Sequence, residues 1–399
     1  MRISKDFFIK SSIYLILLRS PIILLTMSAY IVSDRRIFSD FLYKLFPFVI
    51  FILISIIFSI SMGNEIGNII GQTRDIFLTI IVAALLITAC KYNDSDSTCY
   101  ETIKKCFIII AVAKLLMLAY AFATGVNVTA LVKQVTEVWG IEMMTMGTTD
   151  SVVGRIQIPM DAATPYFLYF YTKELIEKRK INSFSTIIFS LLCFSMLLTF
   201  SRLMWFQTAL FIIIAVLVEA SMTRIIIISI VGIIVLALLM YFTPLGGMIT
   251  SIIDSRINGQ NINDASDIER LIQNRGIINE IYKYPVLGQG LGHYIPNLTR
   301  SASTKYLYET QSLSMVMVFG MLGVFIFLLL IFWLVLPREK KVYKYYGPVF
   351  FLFFWGACGS FNPFLFGASG GVILYLSARF NNIKFMLENN GNPRNYIKP

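Results

Sequence analysis

"YETQSLSMVMVFGMLGVFIFLLLIFWLVLPREKK", residues 308–341, carries no charged side chain between Thr310 and Pro337 and then closes on a cluster of Arg and Lys. Crossing a bilayer takes about 20 mostly apolar residues, and a run of this length and purity predicts a membrane span. Lipid offers no partner to an unpaired backbone N–H or C=O, so the span is expected to be a helix. The same pattern recurs along the chain, at 12–32, 44–62, 75–90, 105–125, 157–173, 183–201, 203–219, 224–243, 310–336, 347–362 and 365–380. The expected fold is therefore an all-α polytopic membrane protein with about eleven (ten to twelve) transmembrane helices. Residues 1–399 read as a single transmembrane domain.

Composition agrees. Of 399 residues, 57% are hydrophobic and 14% charged, against about a quarter charged in soluble domains. The net charge of +11 could suggest a nucleic-acid partner. Its distribution argues otherwise, because the bases sit in short clusters between apolar runs, which is the positive-inside pattern. The clusters at 33–44, 91–105, 173–180, 337–347, the tail from Arg379, and Arg224 fall on one side of the alternation. Only Arg74, Lys133, Arg155 and Arg202 fall on the other, before the long 244–308 loop is counted. Long loops weigh little in the rule. The basic side is thus expected in the cytoplasm, and two polar loops, 126–156 and 244–308, on the outer face. The N-terminal "MRISKDFFIK" is basic although alternation puts it outside; a hairpin or broken segment around Arg19-Ser20-Pro21 would reconcile the two. No small-residue cleavage site follows the first apolar run, so that helix is expected to act as an uncleaved insertion signal.

The five cysteines form no C-x-x-C pair and indicate neither a zinc site nor a disulfide framework; free thiols in or near membrane helices are expected. "GASGG" (367–371) formally fits G-x-S-x-G, but no histidine follows Ser369 and no sheet supplies a nucleophile elbow. Small residues that let helices approach closely are the better account. Lys114, alone inside an apolar run, is expected to face a polar interior, either as a structural partner or as a charge for substrate.

The polar segment "DIERLIQNRGIINEIYKYPVLGQGLGHYIPN" (267–297) interrupts this apolar chain. Ile268, Leu271, Ile272, Ile278 and Ile281 fall at mostly helical spacing, which predicts an amphipathic helix on or near the membrane, stopped by Pro285. Arg270 and Asn274 share a face, whereas Arg275 points well away from Arg270. At most one of the two arginines serves a given site; the bland alternative is a solvated basic face. "GQGLG" (288–292) lacks the dinucleotide-binding spacing and reads as a tight turn with close backbone approach. His293, the single histidine, is more economically a structural hydrogen-bonding residue than a catalyst or metal ligand. In "LTFSRLMWFQ" (198–207), Arg202 lies between two apolar runs. There it either binds an anion such as a lipid phosphate or snorkels to water from a tight turn. Asp264, Asp267 and Glu269 are explained by a solvated loop, and no D-x-D-like cluster calls for a metal.

Taken in order, "TFSRLMW", the "ER" ahead of "YPVLGQGLG", and "YETQSLSMVMVFGMLGVFIFLLL" resemble the O-antigen polymerase and O-antigen ligase superfamily of GT-C-type membrane glycosyltransferases. The likeness covers about residues 195–330. Elsewhere it is limited to hydropathy and helix count. Arg202 matches the family's Ser-Arg arginine, Arg270 its loop arginine, 288–292 its glycine turn, and Gly320 and Gly323 its Gly-x-x-Gly. Where ligases carry a histidine, this chain has Glu309, followed by Thr310 in place of Asn. His293 is not the equivalent. That departure points towards a polymerase.

The resemblance implies a lipid-linked glycan donor, undecaprenyl diphosphate carrying an oligosaccharide. Arg202 and Arg270 are expected to hold the diphosphate through bidentate bonds and to stabilise the leaving group. Glu309 is the expected general base for the acceptor hydroxyl. Arg155 is a weaker candidate for a phosphate or sugar contact, with Arg275 and His293 as peripheral substrate contacts. No cofactor or metal is implied, and no nucleic acid. The expected setting is the bacterial cytoplasmic membrane, multi-pass, with the site facing the periplasm and a flippase and chain-length regulator of the same pathway as partners. Two other functions stay open: a ligase moving finished glycan to an acceptor, and a lipid-linked glycan transporter.

Overall fold

The structure is a computed structural model. It describes residues 5–17, 26, 29, 32–93, 96–139, 155–177, 183–219, 260–299, 304–337 and 341–390. Among these every regular element is a helix. Contacts group the chain into two compact units, Met1–Cys106 with Arg270–Met386, and Phe107–Glu269 with Leu387–Pro399. Each is described by itself.

The first unit begins with α1 (Lys5–Leu17), α2 (Arg35–Ser61) and α3 (Ile66–Asn93), and contains the start of α4 (Asp96–Thr124). Asp34 caps α2 by accepting the Arg36 amide at 2.9 Å. Three helices, α2, α3 and α4, and a later one, α10 (Gln311–Val335), are long and apolar enough to cross a membrane. Their outward residues confirm the solvent they need. Leu53, Ile54 and Ile57 of α2 and Phe325 of α10 are more than half exposed. Such a continuous apolar face suits lipid and not water. The chain is a helical membrane protein.

The second unit takes the rest of α4, then α5 (Val128–Trp139), α6 (Thr164–Glu177), α7 (Ser183–Leu197), α8 (Arg202–Glu219) and the start of α9 (Gln260–Lys283), which from Arg270 belongs to the first unit. After α10 come α11 (Tyr343–Cys358), α12 (Ala368–Ala378) and α13 (Phe380–Asn390). Among the described residues, four of the eleven expected spans fall on helices of crossing length. Other expected spans fall on shorter helices, and 224–243 lies outside the described residues, as does the Arg19-Ser20-Pro21 junction. Two causes of shortening are visible. Pro159 opens a 3-10 turn, Pro159–Ala163, ahead of α6, and Gly367 (φ +98°) starts α12 late.

Aromatic packing closes the first unit. Phe51 meets Phe319 and Phe327 at ring-centroid distances of 5.2 and 5.9 Å, and Phe327 reaches Phe366 at 6.1 Å. On the other side of α12, a Cβ on Gly371 would lie 2.6 Å from Cβ of Val82, so "GASGG" is where α12 and α3 touch. Arg379 clasps Asp96 with two hydrogen bonds, one of 2.8 Å, tying the end of α12 to the start of α4.

The defining feature is a break in α10. Gly320 adopts φ +64°, ψ 177° inside an otherwise regular apolar helix. The turn after α9 fills the gap. Met321 and Leu322 amides donate to the carbonyls of Pro285 (2.9 Å) and Val286 (3.1 Å). Gln289 and Gly290 amides donate to the carbonyls of Met317 (2.8 Å) and Val318 (2.9 Å). The groups that a broken helix strands are thereby paired. The approach leaves no room for side chains: a Cβ on Gly288 would sit 2.4 Å from the Val318 oxygen, and one on Gly320 2.2 Å from the Val286 oxygen. Gly288→Ala is therefore expected to destabilise by about 2 kcal/mol or more, from left-handed strain plus the clash. The apparent Tm in detergent checks this, and an unchanged Tm would contradict it.

Candidate functional site

In the first unit, the interlocked turn sets the position of α9. Past the break, the Leu291 amide donates to Ser59 Oγ (2.5 Å), and the Gly292 amide to Gln72 Oε1 (2.7 Å). Asn64 Nδ2 reaches the carbonyls of Gln289 (2.8 Å) and Leu291 (3.1 Å). Further along, Tyr294 and Lys305 both hold Glu65, at 2.7 and 3.1 Å. The Tyr294 bond, then Lys305, keeps that carboxyl below its usual range. Residues 285–294 and Lys305 are thus anchored along the α2–α3 turn.

This anchoring turns the polar face of α9 inward. Arg270, Gln273, Asn274 and Glu280 face the protein or lie at its edge, whereas Arg275, Leu271 and Ile272 are exposed. Arg270 Nε donates to the Glu309 carboxylate, closing an ion pair across 39 residues of sequence. Glu309 is 9% exposed and its amide meets Gln273 Oε1 at 3.5 Å. It stands just ahead of α10, the half-helix that runs to the Gly320 break. Beside it, Tyr308 OH accepts the Ile295 amide (2.7 Å), and burial pushes its phenol up to about 12. Two residues singled out from the sequence, Arg270 and Glu309, therefore meet. A guanidinium that can fork to an anion and a carboxylate that can take a proton share one inward-facing patch.

His293 lies on the same loop. Its Nε2 is 3.6 Å from a Glu280 carboxylate oxygen, beyond hydrogen-bond length. Glu280 is also engaged by Lys283 (2.6 Å) and Gln289 (3.2 Å). Burial lowers the His293 pKa below 6.5, and the pull of Glu280 opposes this only in part.

The second unit holds Arg155 and Arg202. Residues 155–158 form an extended strap along the α7–α8 junction. The Ile156 amide donates to the Leu198 carbonyl (2.9 Å) and Arg155 Nε to the Thr199 carbonyl (3.1 Å). Phe200 in that junction takes φ +48°, which a residue with a Cβ rarely adopts. Arg202 follows as the exposed first residue of α8. A cation there opposes the helix dipole. A strained residue and a charge that opposes the helix dipole thus stand two positions apart, at Phe200 and Arg202.

Beneath the strap, Lys114 donates to Asp161 at 2.6 Å, with both side chains 2% exposed. Asp161 also accepts the Ile158 amide (2.8 Å), and Lys114 reaches the Ser195 carbonyl (3.4 Å). The lone lysine of an apolar run is a structural partner here. Asp161 was not singled out from the sequence; an acid just after Pro159 at the head of an apolar run was the available sign.

Two outcomes are expected. Lys114→Met alone should cost about 3–5 kcal/mol by leaving Asp161 buried without its cation, while adding Asp161→Leu should recover most of it; apparent Tm values in detergent decide. For His293, the unfolded chain takes up a proton first, at about pH 6.5. Its contribution to stability should hold above that pH and fall as the pH drops through the lower folded value. His293→Asn should flatten that part of the Tm profile, and an unaltered profile would contradict it. Compared with protein-family models, curated proteins and solved structures, the chain matches none.

Proposed function

We propose that the protein polymerises undecaprenyl-diphosphate-linked oligosaccharide repeat units at the outer face of the bacterial cytoplasmic membrane. The reading carries eleven crossings, with 126–156 and 244–308 on the outer side. The observation that supports it most is the Arg270–Glu309 pair. The motif resemblance named these two residues separately, for a diphosphate and for a proton, and they occupy one patch.

The chemistry follows from those two groups. An acceptor sugar hydroxyl attacks the anomeric carbon of the donor. The bond from that carbon to the diphosphate oxygen breaks, and the diphosphate leaves on its polyprenyl chain. Arg270 stabilises the negative charge gathering on it. Glu309 takes the hydroxyl proton. Arg155 and Arg202, both at the α7–α8 junction of the second unit, are assigned to phosphate or sugar binding.

A transfer of finished glycan to another acceptor uses the same groups, and acceptor analysis separates the two. Polymer retained on undecaprenyl diphosphate in a deletion strain would favour ligase. Transport draws no support from the broken α10, because the groups freed at Gly320 are bonded within the chain and not left for a substrate.

Arg270→Ala should abolish long chains while single repeats persist on the lipid. Normal chain length in that variant would sink the site. Glu309→Gln should reduce turnover by about 100-fold or more if the carboxylate is the base, and a fully active variant would remove it from that role.

A further inference from the structure

The turn that fills the break in α10 also presents side chains outward. Val286 is 58% exposed and Leu287 57%, although neither belongs to a polar surface. Their neighbours across the break, Met321 (64%) and Phe325 (60%), are equally bare. The backbone bonds from Met321 to Pro285 and from Leu322 to Val286 place these residues on one continuous apolar face. On α9, the side turned away from the protein is mixed, with Leu271, Ile272, Ile278 and Tyr282 exposed beside Arg275 and Asn279, so the purely apolar face is confined to the turn and α10.

The position along α10 limits what can cover this face. Gly320 lies about 14 Å of helical rise from Gln311 and about 22 Å from Val335. A helix that spans a hydrocarbon layer of about 30 Å puts such a point well inside it. A chain segment bonded there shares its depth. The turn is chemically suited to it. Pro285 has no N–H to satisfy. The carbonyls of Tyr284, Pro285 and Val286 and the amides of Gly288, Gln289 and Gly290 all have backbone partners. Such pairing lets these groups leave water, while the amides of Val286 and Leu287 have no backbone bond among the described residues. The sequence around the turn marks the boundary. Tyr282 and Tyr284 are the residue type enriched at the membrane interface, and Lys283 can snorkel to headgroups.

We infer that residues 284–290 form a re-entrant hook, inserted into the hydrocarbon through the break in α10, with Val286 and Leu287 against lipid acyl chains. Its partner is the bilayer, not a second copy and not water. The hook would fix the end of α9, and with it the loop up to Tyr294, at a set depth in the membrane. This holds whether or not the proposed activity does.

The test uses the unaltered protein in vesicles of phosphatidylethanolamine and phosphatidylglycerol carrying a diazirine in mid-chain. After photolysis, trypsin cuts after Lys283 and Arg300, releasing the hook as one peptide. Adducts on Val286 and Leu287, at yields like those on Phe325, are the expected result. Adducts on Phe325 with none at 286–287 overturn the inference, as does labelling of 286–287 by a water-soluble carbene. Absence of lipid adducts at both places overturns it too, since α10 would then not lie in lipid. A second arm is Leu287→Lys against Asn297→Lys. The first should lower folded protein recovered from membranes several-fold while the second does not; equal recovery contradicts the hook.

Discussion

The first unit turns on four backbone hydrogen bonds at one glycine. A helix interrupted in an apolar setting strands amides and carbonyls, and each costs several kcal/mol if nothing reaches it. Here the strand of chain at 285–290 reaches them. Because Gly288 and Gly320 are in van der Waals opposition, the register between turn and helix cannot slip without a clash. That register settles where α9 ends, which of its faces turns inward, and so why Arg270 and not Arg275 meets Glu309. The ion pair follows from a constraint located far from either charge in sequence.

The second unit solves a related problem with charge. Lys114 and Asp161 are each costly in an apolar interior and tolerable only together. Their pair holds the segment that becomes the Arg155 strap, and the strap in turn grips the carbonyl of Thr199 beside the strained Phe200. The unfavourable features gather at the α7–α8 junction, where Arg202 begins α8.

Much of this was legible in the sequence, for physical reasons that differ by element. Apolar runs report lipid exposure directly, so α2, α3, α4 and α10 were readable. The helical spacing of Arg270, Asn274 and Arg275 correctly separated the two arginines, and Pro285 correctly ended α9 just after Lys283. "GQGLG" read as a turn with close approach, and it is one. What it approaches was not readable, because a Gly-x-x-Gly inside an apolar run looks like helix packing and not like a break. Hydropathy does not see Pro159 or Gly367 cutting helices short. Asp161 was missed because its partner is 47 residues away and no local pattern pairs them. The apolar residues of α9 were found, but not that they would face outward, since that depends on the break in α10.

In the proposed reaction the Glu309 carboxylate and the Arg270 guanidinium, joined between α9 and the start of α10, catalyse glycan transfer on a lipid carrier. The most direct measurement is reconstitution of the purified protein in vesicles with undecaprenyl-diphosphate-linked repeat units as sole substrate and no nucleotide sugar. The account predicts lipid-linked chains of increasing length together with released undecaprenyl diphosphate. Repeat units that only cross the bilayer, or that stay single while the carrier remains fully loaded, would contradict it.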